Sequence, residues 1–397
     1  MANDSVEIPE GKITNQALID WVSRIGAELR IRNIFNTEVT KDSIRHFVDG
    51  IGDSNPLWRD EGYAAKTSYK KLPAPVSWLY SIFPTWVLQG LPGVHAFHSG
   101  NLWNFYKPIR IGDRIKPKCV FTGFEVKPSK FAEVTVFEYQ NSKFFNQNGE
   151  LVADTNLWLI RAERSKAREK RRYSKYVLPH PWTKEELEEI EEQILKEKPR
   201  GSEHRYWEDV EVGEELPIIT KGPFGLTDMI AYCVGADPVG IKAFRCALEV
   251  YNKHPAWAVR DPNTHALEPV YAVHYNKAVA NAAGLPYPYD VGAQRQCMLI
   301  HFLSNYMGDE GWLKMNYAEY RRFFYLSDVL WFMGRVVKKY ISNEGEPCID
   351  VETHAVNQRG EDTMPGYSTI VLPSKDYDYW PVKARIEGNI GIEEFKK

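Results

Sequence analysis

Metal-ligand spacing is the first thing this chain lacks. Cys119, Cys233, Cys246, Cys297 and Cys348 stand singly along the sequence, so no metal site is expected and the protein reads as reduced and cytoplasmic. There is no glycine-rich phosphate loop and no Gly-x-Ser-x-Gly elbow, which removes the commonest routes to nucleotide binding and serine hydrolysis. Charge of one sign is missing too. Fifty basic against 53 acidic side chains leave a formal charge of -3, so nucleic acid is not an expected partner. The start, MANDSVEIPEG, has no basic-then-apolar pattern of a signal peptide, in line with a cytoplasmic protein. One uncharged run, Pro75 to Val94, is interrupted by Pro84, Gln89, Gly90 and Pro92, so it predicts a buried helix and no membrane span.

What is present is apolar bulk. A chain of 397 residues, 43% hydrophobic and 13% aromatic, has enough for two well-filled cores. Leu18, Trp21, Val22, Ile25 and Leu29 predict an amphipathic helix between Ala17 and Ile34, and Thr40 caps a second whose apolar face is Ile44, Phe47 and Val48. Segments Cys119 to Val126, Phe131 to Tyr139 and Leu151 to Ile160 read as strands of an antiparallel sheet, with Asn148-Gly149 as a hairpin signal. From Glu163 to His204 the composition turns charge-dense, the mark of a linker with a solvated helix. The basic run Arg164 to Arg172 reads as surface, since an acidic run follows it.

Beyond the linker the first half recurs. Leu226-Thr227 to Gly235 echoes Thr40 to Gly50, Ser327-Asp328 echoes Gly112-Asp113, and Gly360-Glu361 echoes Gly149-Glu150. The offsets are 227-40=187, 328-113=215 and 360-149=211, so the second unit has gained 215-187=28 residues, placed between Asp237 and Val270. The chain divides into a first unit at 1–162, a linker at 163–204, a second unit at 205–374 and a tail at 375–397.

Leu285 to Met307 organises the second unit. After a proline-rich turn and Asp290-Val-Gly292, residues Leu299, Phe302, Leu303 and Tyr306 keep the spacing of a buried helical face. The first-turn amides of such a helix lack intrahelical partners and carry the positive end of its dipole, so they can polarise a carbonyl such as that of an acyl thioester.

Gly52-Asp53-Ser54-Asn55-Pro56-Leu57, Val94-His95-Ala-Phe97 and Trp103 to Asp113 in the first unit, with His274, Tyr289 to Gly292 and Met307-Gly308-Asp309 in the second, resemble the MaoC-like family of (R)-specific enoyl-CoA hydratases and acyl dehydratases. The resemblance implies an α+β double hot-dog, two antiparallel sheets each wrapped round a central helix. The family signature runs glycine, aspartate, any residue, asparagine, proline, an aliphatic residue, histidine. Here Asp53 and Asn55 keep its first part, but Trp58 replaces the histidine. In the second unit His274 stands where the histidine falls, without the glycine-aspartate turn ahead of it.

By that resemblance the chain is an acyl-CoA hydratase or dehydratase needing no cofactor beyond the CoA of its substrate. Hydration of a 2-enoyl thioester requires a base for water, a proton donor for the α carbon and donors for the thioester oxygen. His274 is the expected base and Asp290 its partner, although an aspartate there also suits a helix cap. Gly292 supplies the amide, and Arg295 is a candidate for a substrate anion. Asp53 and Asn55 are expected to hold the turn before Pro56 or to position substrate rather than react. His301 reads as a hydrogen-bonded core histidine. Asp237 is a second candidate acid or plain loop punctuation. A homodimer is possible. Two other readings stay open: a thioesterase on the same scaffold, and a non-catalytic acyl-CoA-binding subunit.

Overall fold

The computed structural model describes residues 10–396 apart from Asn33, Arg171, Arg172, Ser174 and Val239, so most of the amino-terminal MANDSVEIPEG and two arginines of the basic run lie outside the described residues. In chain order the helices are α1 (Asn15–Val22), α2 (Lys41–Ile51), α3 (Glu61–Ala64), α4 (Arg164–Lys170), α5 (Lys184–Leu195), α6 (Leu226–Ala236), α7 (Phe244–Lys253), α8 (Lys277–Ala282), α9 (Gly292–Met307) and α10 (Pro381–Glu387). The strands are β1 (Pro73–Ala74), β2 (His95–Phe105), β3 (Ile109–Arg110), β4 (Lys116–Ser129), β5 (Glu133–Phe145), β6 (Leu151–Ala162), β7 (Ile219–Lys221), β8 (Ala258–Arg260), β9 (Leu267–Pro269), β10 (Trp312–Glu319), β11 (Leu330–Ile341), β12 (Pro347–Asn357) and β13 (Gly366–Val371). Among the described residues no helix is long and apolar enough to cross a membrane.

The three strands expected in the first unit are β4, β5 and β6. They do not form a sheet of their own. β2 and β10 pair antiparallel from Asn104–Met315 to Gly100–Glu319, which joins both halves into one nine-stranded sheet of order β4-β5-β6-β2-β10-β13-β12-β11-β7. The expected pair of separate sheets is thus corrected to one, because the edge strands of the two units satisfy each other's backbone groups. The arrangement is pseudo-symmetric about the β2–β10 seam. Each seam strand carries one extra residue, Ser99 in β2 and Lys314 in β10, and 314-99=215, the offset of the Asp113 and Asp328 turns.

The helices show where the repeat diverges. Thr40 caps α2 reciprocally with Ser43, Ile44, Phe47 and Val48 are buried, and Gly52 ends the helix in the left-handed region. In the second half Gly225 and Asp237 hold the same two cap positions on α6, so the true offset is 225-40=185, not 187. α1 stops at Val22 instead of running to Ile34: Gly26 turns the chain at φ 84, and the amides of Gly26 and Leu29 then bond to Phe121 and Cys119 of edge strand β4. The run from Pro75 to Val94 is also not a long helix. It forms a 3-10 turn over Val76–Ser81 and then leaves helical geometry, since Pro84 disfavours the α region at Phe83 and Thr85 takes a φ of 72. Its counterpart α9 has no proline, runs sixteen residues and is buried along nearly all of them.

Outside the sheet, α5 lies on the surface with only Ile190 buried, as a solvated helix should. The carboxy-terminal segment is packed down. Tyr379, Val382 and Ala384 join the main core, and Arg385 donates to Glu346 at 2.5 Å in a buried pair.

α2 and α6 cross at the backbone through two glycines. A Cβ on Gly50 would lie 2.8 Å from the Tyr232 Cα, and one on Gly235 would lie 2.6 Å from the Phe47 Cα. Alanine favours a helix by about 1 kcal/mol over glycine, yet the overlap costs about 1–3 kcal/mol. Gly50→Ala and Gly235→Ala are therefore expected to lower the urea-unfolding free energy; an unchanged or raised value would contradict the close crossing.

Candidate functional site at the mouth of the buried helix

His274 reaches its place through a local fold that occurs twice. In the first half a 3-10 turn, Pro56–Trp58, ends two residues before Asp60, whose side chain caps α3 by accepting from the amides of Gly62 and Tyr63. In the second half the 3-10 turn Val270–His274 ends two residues before Asn276, whose side chain caps α8 by accepting from Ala278 and Val279. His274 thus occupies the structural position of Trp58, with an offset of 274-58=216. The gain between Asp237 and His274 is 216-185=31 residues, three more than the sequence echoes indicate. Those residues include α7 and the β8–β9 hairpin, and they split the signature turn ahead of His274. Asp237 sits where the first half has Gly52, and Asp261 of the added hairpin accepts from Asn276 at 2.5 Å, tying the insertion to the α8 cap.

The first-half indole of Trp58 donates to the Asp53 carboxylate at 2.8 Å. His274 instead bonds through Nδ1 to the backbone carbonyl of Tyr289 at 2.8 Å. A carbonyl only accepts, so Nδ1 carries the proton and Nε2 keeps the basic lone pair. The rings of Tyr271 and Tyr289 flank the imidazole at 4.5 and 4.6 Å. Burial pushes its pKa down to about 4, against the upward pull of the Tyr289 carbonyl and of the nearby Asp290 charge, so His274 is neutral at pH 7.

Asp290 and Arg295 do not serve as the sequence suggests. Both oxygens of Asp290 accept from Arg295, Nε at 2.9 Å and Nη2 at 2.8 Å, and the pair is buried, with side chains 1% and 3% exposed. Arg295 Nη1 also donates to the carbonyls of Arg322 and Thr363. Asp290 therefore influences His274 through space and gives the imidazole no carboxylate hydrogen bond, while Arg295 has its donors committed to the interior. The pair braces the turn that presents Tyr289 to His274. Nor is Asp290 the helix cap: Val291 holds that position and gives no side-chain bond.

Gly292 opens α9, and it alone between Asp290 and Ile300 is only part-buried. Its amide lies in the first turn, where no intrahelical acceptor exists. A Cβ there would meet the Tyr320 ring at 2.8 Å and the His98 Cβ at 3.4 Å, so glycine is what lets these two side chains close on the helix mouth. Tyr320 and Tyr80 both donate to Gln296 Oε1, at 2.6 and 3.0 Å. His98 bonds Asn101, and burial pushes its pKa down to about 4. His98, Tyr320 and Gln296 were not legible as site residues, since they meet only after β2 and β10 pair.

The first-half counterpart has become structural. Asp53 accepts from the Asn55 amide at 2.9 Å as well as from Trp58, and Asn55 Nδ2 donates to Asp309 at 2.9 Å. Both Asp53 and Asn55 are buried, so their polar atoms hold the turn, the structural one of the two roles expected of them. His301 lies on α9 between carboxylates, its Nε2 3.0 Å from Glu197 and 3.7 Å from Asp53, a core histidine with a partner. Trp58, Tyr69 and Trp312 crowd a small cleft that Ser304 and Met307 of α9 also line.

Comparison with known proteins places this geometry. Residues 23–155 match the family model described as the FAS1-like, dehydratase domain region. A 3-hydroxybutyryl-CoA dehydratase of Methylorubrum extorquens is 28% identical over 91 residues, 23% of this chain and 58% of that protein. A UPF0336 protein of Parafrankia is 27% identical over 130 residues, 31% of this chain and 83% of that protein. Among solved structures, a MaoC-like dehydratase superposes with a TM-score of 0.60 at 14% identity, over 89% of this chain and 99% of its own. A conserved hypothetical protein of Mycobacterium tuberculosis described as having a double hotdog fold gives 0.52 at 10% identity, over 88% and 96%. The chain has the double hot-dog fold of these structures. At these identities the structural likeness is one of fold, and the site has to be argued from this chain's own residues.

The buried Asp290–Arg295 pair makes one such argument testable. Asp290→Ala leaves an uncompensated buried guanidinium and is expected to cost about 3–5 kcal/mol. Adding Arg295→Met should recover most of it in a denaturant double-mutant cycle. A loss in Asp290→Ala that the second substitution does not relieve would contradict the bracing role.

Proposed function

We propose that this protein is an acyl-CoA hydratase or dehydratase whose acid/base group is His274. The observation that carries the proposal is that His274 takes the fold position of the signature histidine, with Nδ1 fixed by the carbonyl of Tyr289, three residues ahead of Gly292, which opens α9. A neutral imidazole accepts a proton from water through Nε2 as the water oxygen bonds to C3 of a 2-enoyl-CoA. The imidazolium then hands that proton to C2, so both elements of water are added and the base is restored. Charge developing on the thioester oxygen during this exchange is met by the Gly292 amide and the α9 dipole. An imidazole held near pKa 4 is free base at neutral pH, and once protonated it is a strong donor towards carbon. Five unpaired cysteines, three of them buried, suit a cytoplasmic enzyme, and no cofactor enters this chemistry.

The thioesterase reading loses support, because the carboxylate that would activate water is engaged by Arg295. The non-catalytic binding subunit keeps one specific support: neither half retains the complete aspartate–histidine pair. Product masses separate these readings. A gain of water by a 2-enoyl-CoA is expected, free CoA would indicate hydrolysis, and binding without turnover would favour the subunit. His274→Gln is expected to lower kcat by about 10²–10⁴ in a protein that remains folded.

The acid limb of kcat/KM gives an independent check. Activity needs neutral His274, so it should persist as pH falls through 6.5 and decline only towards the lowered pKa of about 4. A limb near 6.5 would exclude the buried imidazole as the base.

A further inference from the structure

Each seam strand serves as a control for the other. At their offset of 215, Asn316 of β10 answers to Asn101 of β2, and Trp312 and Leu313 answer to Phe97 and His98 (316-101=215, 312-97=215, 313-98=215). In the first half Trp312 and Leu313 line one small cleft together with Trp58 and Val76. Trp58 is the counterpart of His274. Val76 opens the first-half 3-10 turn as Gly292 opens α9, with 292-76=216 matching 274-58=216. The same four places in the second half therefore belong to Phe97, His98, His274 and Gly292.

Contacts in the second half agree with that symmetry. A Cβ on Gly292 would lie 3.4 Å from the His98 Cβ. Phe97 meets Phe323 at 5.7 Å between ring centres, Phe323 meets Tyr289 at 4.8 Å, and Tyr289 flanks His274 at 4.6 Å. An apolar pair in one half, Trp58 and Leu313, is thus a pair of imidazoles in the other. The tautomer of His98 is fixed by its neighbour. Asn101 spends Nδ2 on Thr85 and Thr155, at 3.2 and 2.9 Å, so its Oδ1 faces His98, and a carbonyl oxygen only accepts. Nε2 of His98 carries the proton in that bond. Nδ1, two bonds from the Cβ that closes on Gly292, keeps its lone pair and has no partner among the described residues.

We propose that His98 is a second catalytic residue, holding the attacking water through Nδ1 while His274 takes that water's other proton; this rests on the hydratase reading above. A water held by one base alone can swing its oxygen away from C3, whereas two acceptors fix both hydrogens and aim a lone pair. Asp290 cannot be the second acceptor, since both its oxygens are on Arg295. As the oxygen bonds to C3, one hydrogen passes through His274 to C2, and the other stays on oxygen as the C3 hydroxyl, still donating to His98. Nothing is transferred to His98, which ends as it began.

The test separates the two ends of the imidazole. His98→Gln keeps an amide donor within reach of Asn101 and has no acceptor at the Nδ1 place, whereas His98→Asn puts an amide oxygen at that place and gives up the Asn101 bond. With a 2-enoyl-CoA that the wild type hydrates, His98→Gln is expected to lower kcat about 10²-fold with KM little changed, at wild-type circular dichroism and melting temperature. His98→Asn is expected to retain most of kcat. If the Gln variant does not fold, His98→Leu, the side chain of the equivalent place in β10, is expected to show the same loss. A folded His98→Gln with wild-type kcat, beside an inactive His274→Gln, leaves the hydratase reading standing and overturns this one. A loss confined to His98→Asn assigns the residue to its Asn101 bond and overturns it too. A wild type that hydrates no 2-enoyl-CoA overturns the hydratase reading and this inference with it.

Discussion

The antiparallel pairing of β2 with β10 is the contact on which the rest of the molecule depends. Beneath the seam lies a buried polar network. Asn101 of β2 bonds Thr155, Asn316 of β10 bonds Ser368, and Gln296 of α9 donates to Asn316 at 2.7 Å. Polar groups buried this way are worth keeping only when each finds its partner, and then they specify one register. That register brings His98 of the first half and Tyr320 of the second to the mouth of α9. Without the seam neither residue has a site to belong to.

The two halves carry the same local fold with different side chains. The first keeps the glycine-aspartate-asparagine-proline turn, but Trp58 fills the histidine position and the turn's polar atoms are spent on Trp58, Asp309 and the backbone. The second keeps a histidine and has lost the aspartate, because an inserted helix and hairpin separate Asp237 from His274. What remains is an imidazole held by a backbone carbonyl beside an uncapped helix start. Asp290 and Arg295 contribute by bracing that start, an arrangement in which each is costly to remove alone.

Much of this was legible in the chain. Thr40 and the spacing of Ile44, Phe47 and Val48 specify α2, and the Asn146-to-Glu150 and Asn357-to-Glu361 turns recur with the same Asn146–Glu150 and Asn357–Glu361 backbone bonds. Ranking His301 as a core residue and His274 at the signature position needed only local pattern. What the sequence withheld was non-local. The strand edges of two units carry no mark saying that they will join, so two sheets were expected where one forms. The partner of Asp290 is not legible because its pair with Arg295, five residues on, forms only as both side chains are buried. The helix ends at Val22 and Ser81 were overrun because periodicity continues past the points where Gly26 and Pro84 redirect the backbone.

The central claim is that the second half, through His274 and the start of α9, holds the reacting end of the thioester. A crystal structure with a bound 3-hydroxyacyl-CoA would test it most directly. The account predicts the thioester oxygen at the Gly292 amide and the C3 hydroxyl at His274 Nε2. A thioester seated instead beside Asp53 and Trp58, with the α9 mouth closed by Tyr320, would contradict it.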